Sequence, residues 1–295
     1  MKTILIPLDL SPASRNAFRY ALHFYKGQAV RLILLHVYTP GEMEPFVPIH
    51  MQHALIEAKH DLALEYFATL EQAVSAELLA NKTFDYQIKL GTVSEQILFT
   101  ARKEKADLVV VGSHGSGGEL GRNVFGSTAT NIIQRAKMPV VVVPAEYNFT
   151  GIQKIAYATN FEQNDIRALD HVLEIAKESR ARVYCVHIRR HNDAVDTYKQ
   201  LILREAYGSE MDIDEIEFDS LESDNVAKGL LHYTRQNEID LLVMLTHRRS
   251  LIGQLFYRSN SKKMALMTHI PLWAFPMVGG KASQVVYSGD SDRNI

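Results

Sequence analysis

A glycine-rich stretch in the first half of the chain carries the clearest chemical signal. Five glycines lie between Gly112 and Gly121, a sixth is Gly126, and Ser127 and Thr128 follow it. Glycine lets backbone N–H groups approach an anion closely. A helix that starts at Ser127 adds unpaired N–H donors, and its hydroxyls can reach a phosphate or a metal ion held by phosphates. The pattern favours a phosphate-binding loop, and a flexible surface loop is the alternative.

Asp9 is the second residue that could bind a ligand. It follows a short apolar run, Ile4–Leu8, which reads as a strand. The glycine-rich stretch follows another such run, and the carboxyl ends of parallel strands form the edge at which ligands bind. The Asp9 carboxylate can accept from a ribose hydroxyl or hydrogen-bond the adenine edge, or it can simply cap a turn or a helix.

Several other chemistries are disfavoured. The glycine-rich stretch has no Gly-Lys-Ser ending and does not follow the first strand, so it is neither a Walker loop nor a Rossmann fingerprint. There is no nucleophile elbow and no cluster of metal ligands. The single cysteine, Cys185, excludes a disulfide framework, and the formal net charge of −2 disfavours nucleic acid as a partner. No apolar run is long enough to span a membrane, and we expect a cytoplasmic protein.

The chain repeats itself, which predicts two domains. Four apolar runs recur in the same order, namely Ile4–Leu10 as Ile155–Phe161, Arg31–Val37 as Arg182–Ile188, Ala106–Val111 as Ile239–Met244, and Pro139–Pro144 as Pro271–Pro276. Runs of this kind are typical of strands buried on both faces of a parallel sheet. We expect a first domain over 1–146, a second over 152–277, and a flexible tail over 278–295.

Helical patterns alternate with these strands. In the first copy we expect four helices, at 13–25, 53–79, 94–105 and 127–136. Each copy is therefore predicted to be an α/β domain with a doubly wound, five-stranded parallel sheet. We expect the two copies to pack as an internal pseudo-dimer through their last strands.

These residues resemble the universal stress protein family, whose fold is adenine nucleotide alpha hydrolase-like. Its nucleotide-binding branch carries Gly-x2-Gly-x9-Gly-Ser/Thr after the fourth strand. Gly112 and Gly115 match the first half of that motif, and Gly126 with Ser127 matches the second. The starting run Pro7–Ser11, the Leu35–Val37 triplet and the closing Pro139–Val143 also look like the family. The resemblance covers nearly the whole chain.

The resemblance implies a site for ATP or another adenine nucleotide, with Mg²⁺ or Mn²⁺ among the phosphates. Adenine would lie near Asp9 and Val37, and the triphosphate would lie on the glycine-rich stretch. The implied site residues are Pro7, Leu8, Asp9, Val37, Gly112, His114, Gly115, Gly126, Ser127 and Thr128. Ten residues, not nine, separate Gly115 from Gly126. The extra residue is either absorbed as a bulge or moves the second half of the motif out of reach.

The second copy has lost the motif. Alignment of the copies puts Leu245, Arg248 and Arg258 in the places of the three glycines, and Asn160 in the place of Asp9. Only Ser259 remains, in the Ser127 position. Arg248, Arg249 and Arg258 could grip another anion, although solvated or interface arginines are the simpler interpretation.

Three functions follow from this pattern. The first is a regulatory protein that holds a nucleotide in its first domain only and acts through an unknown protein partner, with a homodimer as a further option. The second is a slow ATPase, although no catalytic base or lysine is recognisable at the glycine-rich stretch, and we expect no enzyme beyond weak hydrolysis. The third is an interaction protein without nucleotide binding.

Overall fold

The computed structural model describes residues 1–39, 49–113, 126–160, 163–189, 216–246, 269–278 and 281–282, with the backbone alone for 49–56, 163–167, 277–278 and 281–282. His114 and Gly115, like Arg248, Arg249, Arg258 and Ser259, lie outside these ranges.

The first half of the chain alternates strands and helices. Its strands are β1 (Lys2–Pro7), β2 (Val30–Tyr38), β3 (Lys82–Leu90), β4 (Leu108–Gly112) and β5 (Val140–Val143). Its helices are α1 (Pro12–Phe24), α2 (Ile49–Gln72), α3 (Ala76–Leu79), α4 (Val93–Lys103) and α5 (Ser127–Arg135). The five predicted strands are present, and all of their pairings within this half are parallel.

One predicted helix is divided. The expected helix over 53–79 is α2 followed by the short α3, because Ser75 takes an extended conformation with ψ of 144° between them. The Val74 N–H donates to the Glu71 carbonyl, a tighter closure that ends α2. The described residues of this half therefore form five helices where the sequence pattern predicted four.

The second half repeats the arrangement. Its described strands are β6 (Lys154–Ala158), β7 (Arg182–Arg189), β8 (Ile216–Glu222), β9 (Leu241–Thr246), β10 (Leu272–Val278) and the two-residue β11 (Lys281–Ala282). Its described helices are α6 (Gln163–Ser179) and α7 (Val226–Gln236). Two residues of the segment predicted to be a flexible tail, Lys281 and Ala282, pair with the end of β10.

All of these strands belong to one sheet, and the two halves meet at its centre. The strand order is β3-β2-β1-β4-β5-β10-β9-β6-β7-β8, so the order of the first half is mirrored in the second. The central pair, β5 and β10, is antiparallel, as expected for two parallel sheets related by a two-fold rotation. The predicted pseudo-dimer through the last strands is confirmed.

Side chains fill the space on both faces of the sheet. Alternate residues of β1 point to opposite faces, Ile4 and Ile6 to one core and Leu5 to the other, and all three are fully buried. At the junction, the Trp273 ring packs edge-on against Phe24 with 5.1 Å between ring centroids. This packing makes α1 a physical connection between the carboxyl edge of the first sheet and the second domain.

The segment between the domains is held against α1. Asn16 donates from its side-chain amide to the carbonyls of Pro144 and Tyr147, both at 2.7 Å. The Phe149 ring packs edge-on against Tyr20 and stacks on His23. This part of the chain is therefore docked rather than a free polar linker.

Candidate functional site

A cleft opens at the carboxyl edge of the first half of the sheet. It encloses about 660 Å³ and lies over the ends of β1, β2 and β4, with residues of α2 and α5 in its walls. β1 and β4 are the neighbours between which the strand order reverses, the usual ligand position in open α/β sheets. The volume lies within the range of roughly 300–1,000 Å³ typical of small-molecule sites.

Most of the predicted site residues line this one cleft. The structure brings together two distant parts of the sequence, the end of β1 and the start of α5. The lining includes Pro7, Leu8, Asp9, Val37, Gly112, Gly126, Ser127 and Thr128. Of the predicted set, only His114 and Gly115 fall outside the described residues.

The β1–α1 turn presents Asp9 to the cleft in a fixed position. The Asp9 carboxylate accepts from the Ser11 N–H at 3.1 Å, and the Asp9 N–H donates to the Ser14 hydroxyl at 3.3 Å. Between them, Leu10 takes a left-handed conformation with φ of 66°. Ser11 caps α1 by accepting from the Ser14 N–H at 3.1 Å. Asp9 therefore closes a turn, one of the two roles considered from the sequence, and also faces the cleft.

Gly112 is required by the packing of α1. A Cβ atom at this position would lie 2.6 Å from the Ala13 carbonyl carbon and 2.8 Å from the Ser14 nitrogen. Contacts this short do not occur, so only glycine lets β4 pass so close to the first turn of α1. From the sequence, this glycine was expected only as a place where backbone approaches phosphate. Its packing against α1 was not predicted, and this packing also fixes the position of the Asp9 turn.

The start of α5 supplies hydrogen-bond donors to the same cleft. The Gly126 N–H donates to the Ser113 carbonyl at 2.6 Å, so the two described ends of the glycine-rich stretch are joined. Gly112, Ser113 and Gly126 all line the cleft. Gly126 precedes α5 without capping it through a side chain, and no acidic residue stands in the first turn. The donors available to an anion belong to the first turn, Ser127–Ala129, more than to Gly126.

The structure adds lining residues that were not in the predicted site, among them one at the end of β2 and two on α2. Tyr38 at the end of β2, and Lys59 and Leu62 on α2, line the cleft. The Lys59 ammonium lies 5.3 Å from the centre of the Tyr38 ring, and the Tyr38 hydroxyl donates to the Lys59 carbonyl. Lys59 is the only lysine or arginine among the described residues of the lining. Lys59 and Leu62 are three residues apart and so lie on one helix face. This spacing is the only feature of the sequence that could have linked the two residues.

The walls of the cleft are mainly apolar. Asp9 is the only Asp or Glu among the described residues that line it. Burial raises the pKa of Tyr66 on α2, Arg15 opposes this shift, and the neighbouring Asp9 charge adds to it. Within the described ranges, no group of three or more His, Cys, Asp or Glu side chains is arranged to hold a metal ion.

The equivalent edge of the second half differs at the key positions. Leu245 pairs with Phe275 in β10 as Gly112 pairs with Val143 in β5, which places the leucine in the register position of the glycine. A leucine there does not permit the close helix approach that Gly112 allows. Asn160 takes the place of Asp9, and Arg248 and Arg258 fall outside the described residues.

None of the helices in the described part of the chain combines the length and apolar content that a bilayer span requires.

Comparison with known proteins agrees with the repeat and with the fold. The family model described as the universal stress protein family matches twice, over residues 1–144 and 151–276. A universal stress protein of Thermus aquaticus is 30% identical over 142 residues, which is 48% of this chain and 98% of that protein. Universal stress protein G of Escherichia coli O157:H7 is 28% identical over 145 residues, 48% of this chain and 98% of the relative.

A solved structure extends the likeness to the whole molecule. The crystal structure of a universal stress protein from Archaeoglobus fulgidus superposes with a TM-score of 0.69 at 18% identity, covering 92% of this chain and 97% of that one. At this identity the likeness concerns the fold alone. From the double family match, the chain belongs to the universal stress protein family, as a member with two domains in tandem.

Proposed function

We propose that the first domain binds ATP, or another adenine nucleotide, and that occupancy of this site regulates the protein. One observation carries the proposal. A cleft of about 660 Å³ is lined both by the Asp9 turn and by the first turn of α5. A purine with a ribose needs apolar walls and a few fixed polar groups, whereas a polyphosphate needs converging donors. The lining of the cleft offers each of these.

The residues present fit this ligand. Val37 and Val111 supply apolar wall on the side of β2 and β4. The N–H groups of the first turn of α5 and the positive end of the helix dipole favour phosphate. Lys59 adds a full positive charge. We propose that Mg²⁺ or Mn²⁺ accompanies the phosphates, with the Ser127 hydroxyl as the protein ligand.

The second domain is proposed not to bind a nucleotide in this way. The support is the exchange of Gly112 for Leu245 at the same register position, and of Asp9 for Asn160. A bulky side chain fills space at the strand end, and an amide replaces the charge.

The proposal is tested by placing a negative charge at the start of α5. Ser127→Glu adds an acid to the first helical turn, where it stabilises the helix through the dipole. The same charge repels phosphates. At roughly 6 Å and an effective dielectric constant near 20, one such contact costs about 3 kcal/mol, or roughly 100-fold in affinity. Ser127→Gln is the matched neutral control.

The two variants separate binding from folding. Both variants lose the Ser127 hydroxyl, so the difference between them isolates the added charge: we expect calorimetric titration with Mg-ATP to show modestly weakened binding by Ser127→Gln and far weaker binding by Ser127→Glu. The melting temperature of Ser127→Glu should equal or exceed that of the wild type. Unchanged ATP affinity in Ser127→Glu would rule out phosphate binding at the α5 terminus.

Further expectations attach to this function. We propose an unidentified protein partner whose binding depends on nucleotide occupancy, and a cytoplasmic location, to be checked by fractionation. A homodimer would need a surface other than the last strands, because β5 and β10 pair with each other within the chain. We expect no enzymatic turnover beyond weak ATP hydrolysis.

A further inference from the structure

Two histidines occupy equivalent positions in the two halves and make the same hydrogen bond. His36 lies near the end of β2 and His187 near the end of β7, and both are buried. The Nδ1 atom of His36 lies 2.6 Å from the Leu8 carbonyl oxygen. The Nδ1 atom of His187 lies 2.8 Å from the Thr159 carbonyl oxygen. Each imidazole therefore joins a second strand to the turn that follows the first strand of its domain.

The chemistry of this contact fixes the role of the ring. A carbonyl oxygen only accepts, so Nδ1 must carry the proton and donate. The bond is directed at the main chain, and its partner is the last residue before Asp9 in one half and before Asn160 in the other. The histidine thus acts as a brace on the backbone in both domains.

In the first domain the brace completes the anchoring of Leu8. The Leu8 N–H donates to the Leu35 carbonyl at 2.8 Å, and the Leu8 carbonyl accepts from His36. Both polar main-chain groups of Leu8 are therefore tied to β2. The next two residues are Asp9 and the left-handed Leu10, a conformation that persists only where its surroundings enforce it.

We propose that His36 is a positioning residue for ligand recognition: it holds the Leu8 carbonyl and thereby sets where Asp9 faces the cleft. His187 keeps the same brace in a domain where Asn160 replaces the carboxylate, so there it serves structure alone. This inference rests on the proposed nucleotide site for its effect on affinity. Its effect on the turn itself is independent of any ligand.

The two histidines provide a matched pair of variants. His36→Leu and His187→Leu each remove one buried imidazole donor, the one that bonds the carbonyl of Leu8 or of Thr159. His36→Asn restores a donor, because the asparagine amide nitrogen occupies nearly the place of Nδ1. Calorimetry with Mg-ATP measures affinity, thermal denaturation measures stability, and amide hydrogen exchange without nucleotide measures the turn over residues 8–14.

We expect His36→Leu to weaken ATP binding by roughly tenfold, because the loosened turn must be re-ordered when the ligand binds, at about the cost of one lost buried hydrogen bond. His36→Asn should recover most of that loss. His187→Leu should lower the melting temperature by about as much as His36→Leu does. Its ATP affinity should stay within about twofold of that of the wild type. Without nucleotide, exchange over residues 8–14 should quicken by roughly tenfold in His36→Leu only.

Equal ATP affinity in His36→Leu and His187→Leu would overturn the inference, as would unchanged exchange over residues 8–14 in His36→Leu. If the wild type binds no nucleotide, the proposed function fails, while the exchange measurement still decides whether His36 holds the turn.

Discussion

Gly112 offers a test of how the fold builds the cleft. We predict that Gly112→Ala destabilises the protein, because its new Cβ would lie 2.6 Å from the Ala13 carbonyl carbon and 2.8 Å from the Ser14 nitrogen. Ordinary contacts begin at about 3.4 Å, so α1 and β4 must separate by about 0.8 Å. Neither atom belongs to a flexible side chain, and both lie in the backbone of the first turn of α1.

The expected cost follows from overpacking. Inserting a methyl group into a closely packed site costs about 1–3 kcal/mol, and rigid backbone on both sides places Gly112→Ala near the upper end. In a domain of this size each kcal/mol lost from the free energy of unfolding lowers the melting temperature by roughly 2–4 °C. The shift also moves Ser11 and Ser14, which hold the Asp9 turn, so ATP affinity should fall as well.

Gly126→Ala is the matched control. Gly126 has φ of −63° and ψ of 162°, a conformation that alanine adopts without strain. Thermal denaturation followed by circular dichroism, with calorimetry for ATP, should show a large loss of stability in Gly112→Ala and little change in Gly126→Ala. If Gly112→Ala has the melting temperature and the ATP affinity of the wild type, then the packing of α1 on β4 does not require glycine at this position.

Three further predictions concern the cleft and the domain junction. Lys59→Met should weaken ATP binding roughly fivefold and leave adenosine binding unchanged, which parallel titrations would detect. Phe24→Ala should expose Trp273, the single tryptophan, and red-shift its fluorescence, at a cost of about 1 kcal/mol for the lost ring pair. Burial and the charge of Asp240 raise the pKa of Tyr147 to about 12. Because this pKa exceeds the unfolded value near 10, stability should be full below pH 10 and fall as the pH rises toward 12, and Tyr147→Phe should lessen that fall in alkaline melting curves.

The strands and the repeat could be predicted because their signal is local. Continuous apolar runs such as Val140–Val143 are buried on both faces and have few alternative structures. The symmetric pairing of β5 with β10 followed from the repeat itself. The break between α2 and α3 could not be foreseen, since Ser75 interrupts a helical pattern that continues on both sides.

The details of the cleft depend on distances between elements far apart in the chain. A glycine that lets a ligand approach and a glycine that lets a helix approach look alike in sequence, and only the contacts of Gly112 show that it allows a close helix approach. Lys59 reaches the cleft only because α2 lies over the end of β2. The recurrence of His36 and His187 was visible, but their shared bond to the preceding turn required the structure.

The stoichiometry of bound nucleotide tests the central claim most directly. The protein is purified without added nucleotide, denatured, and its supernatant analysed by reverse-phase chromatography, with calorimetric titration of Mg-ATP alongside. We predict a capacity of one adenine nucleotide per chain, lost in Ser127→Glu and kept in Ser127→Gln. Two nucleotides per chain would contradict our interpretation of the second domain, and no binding in the presence of Mg²⁺ would contradict the proposed function.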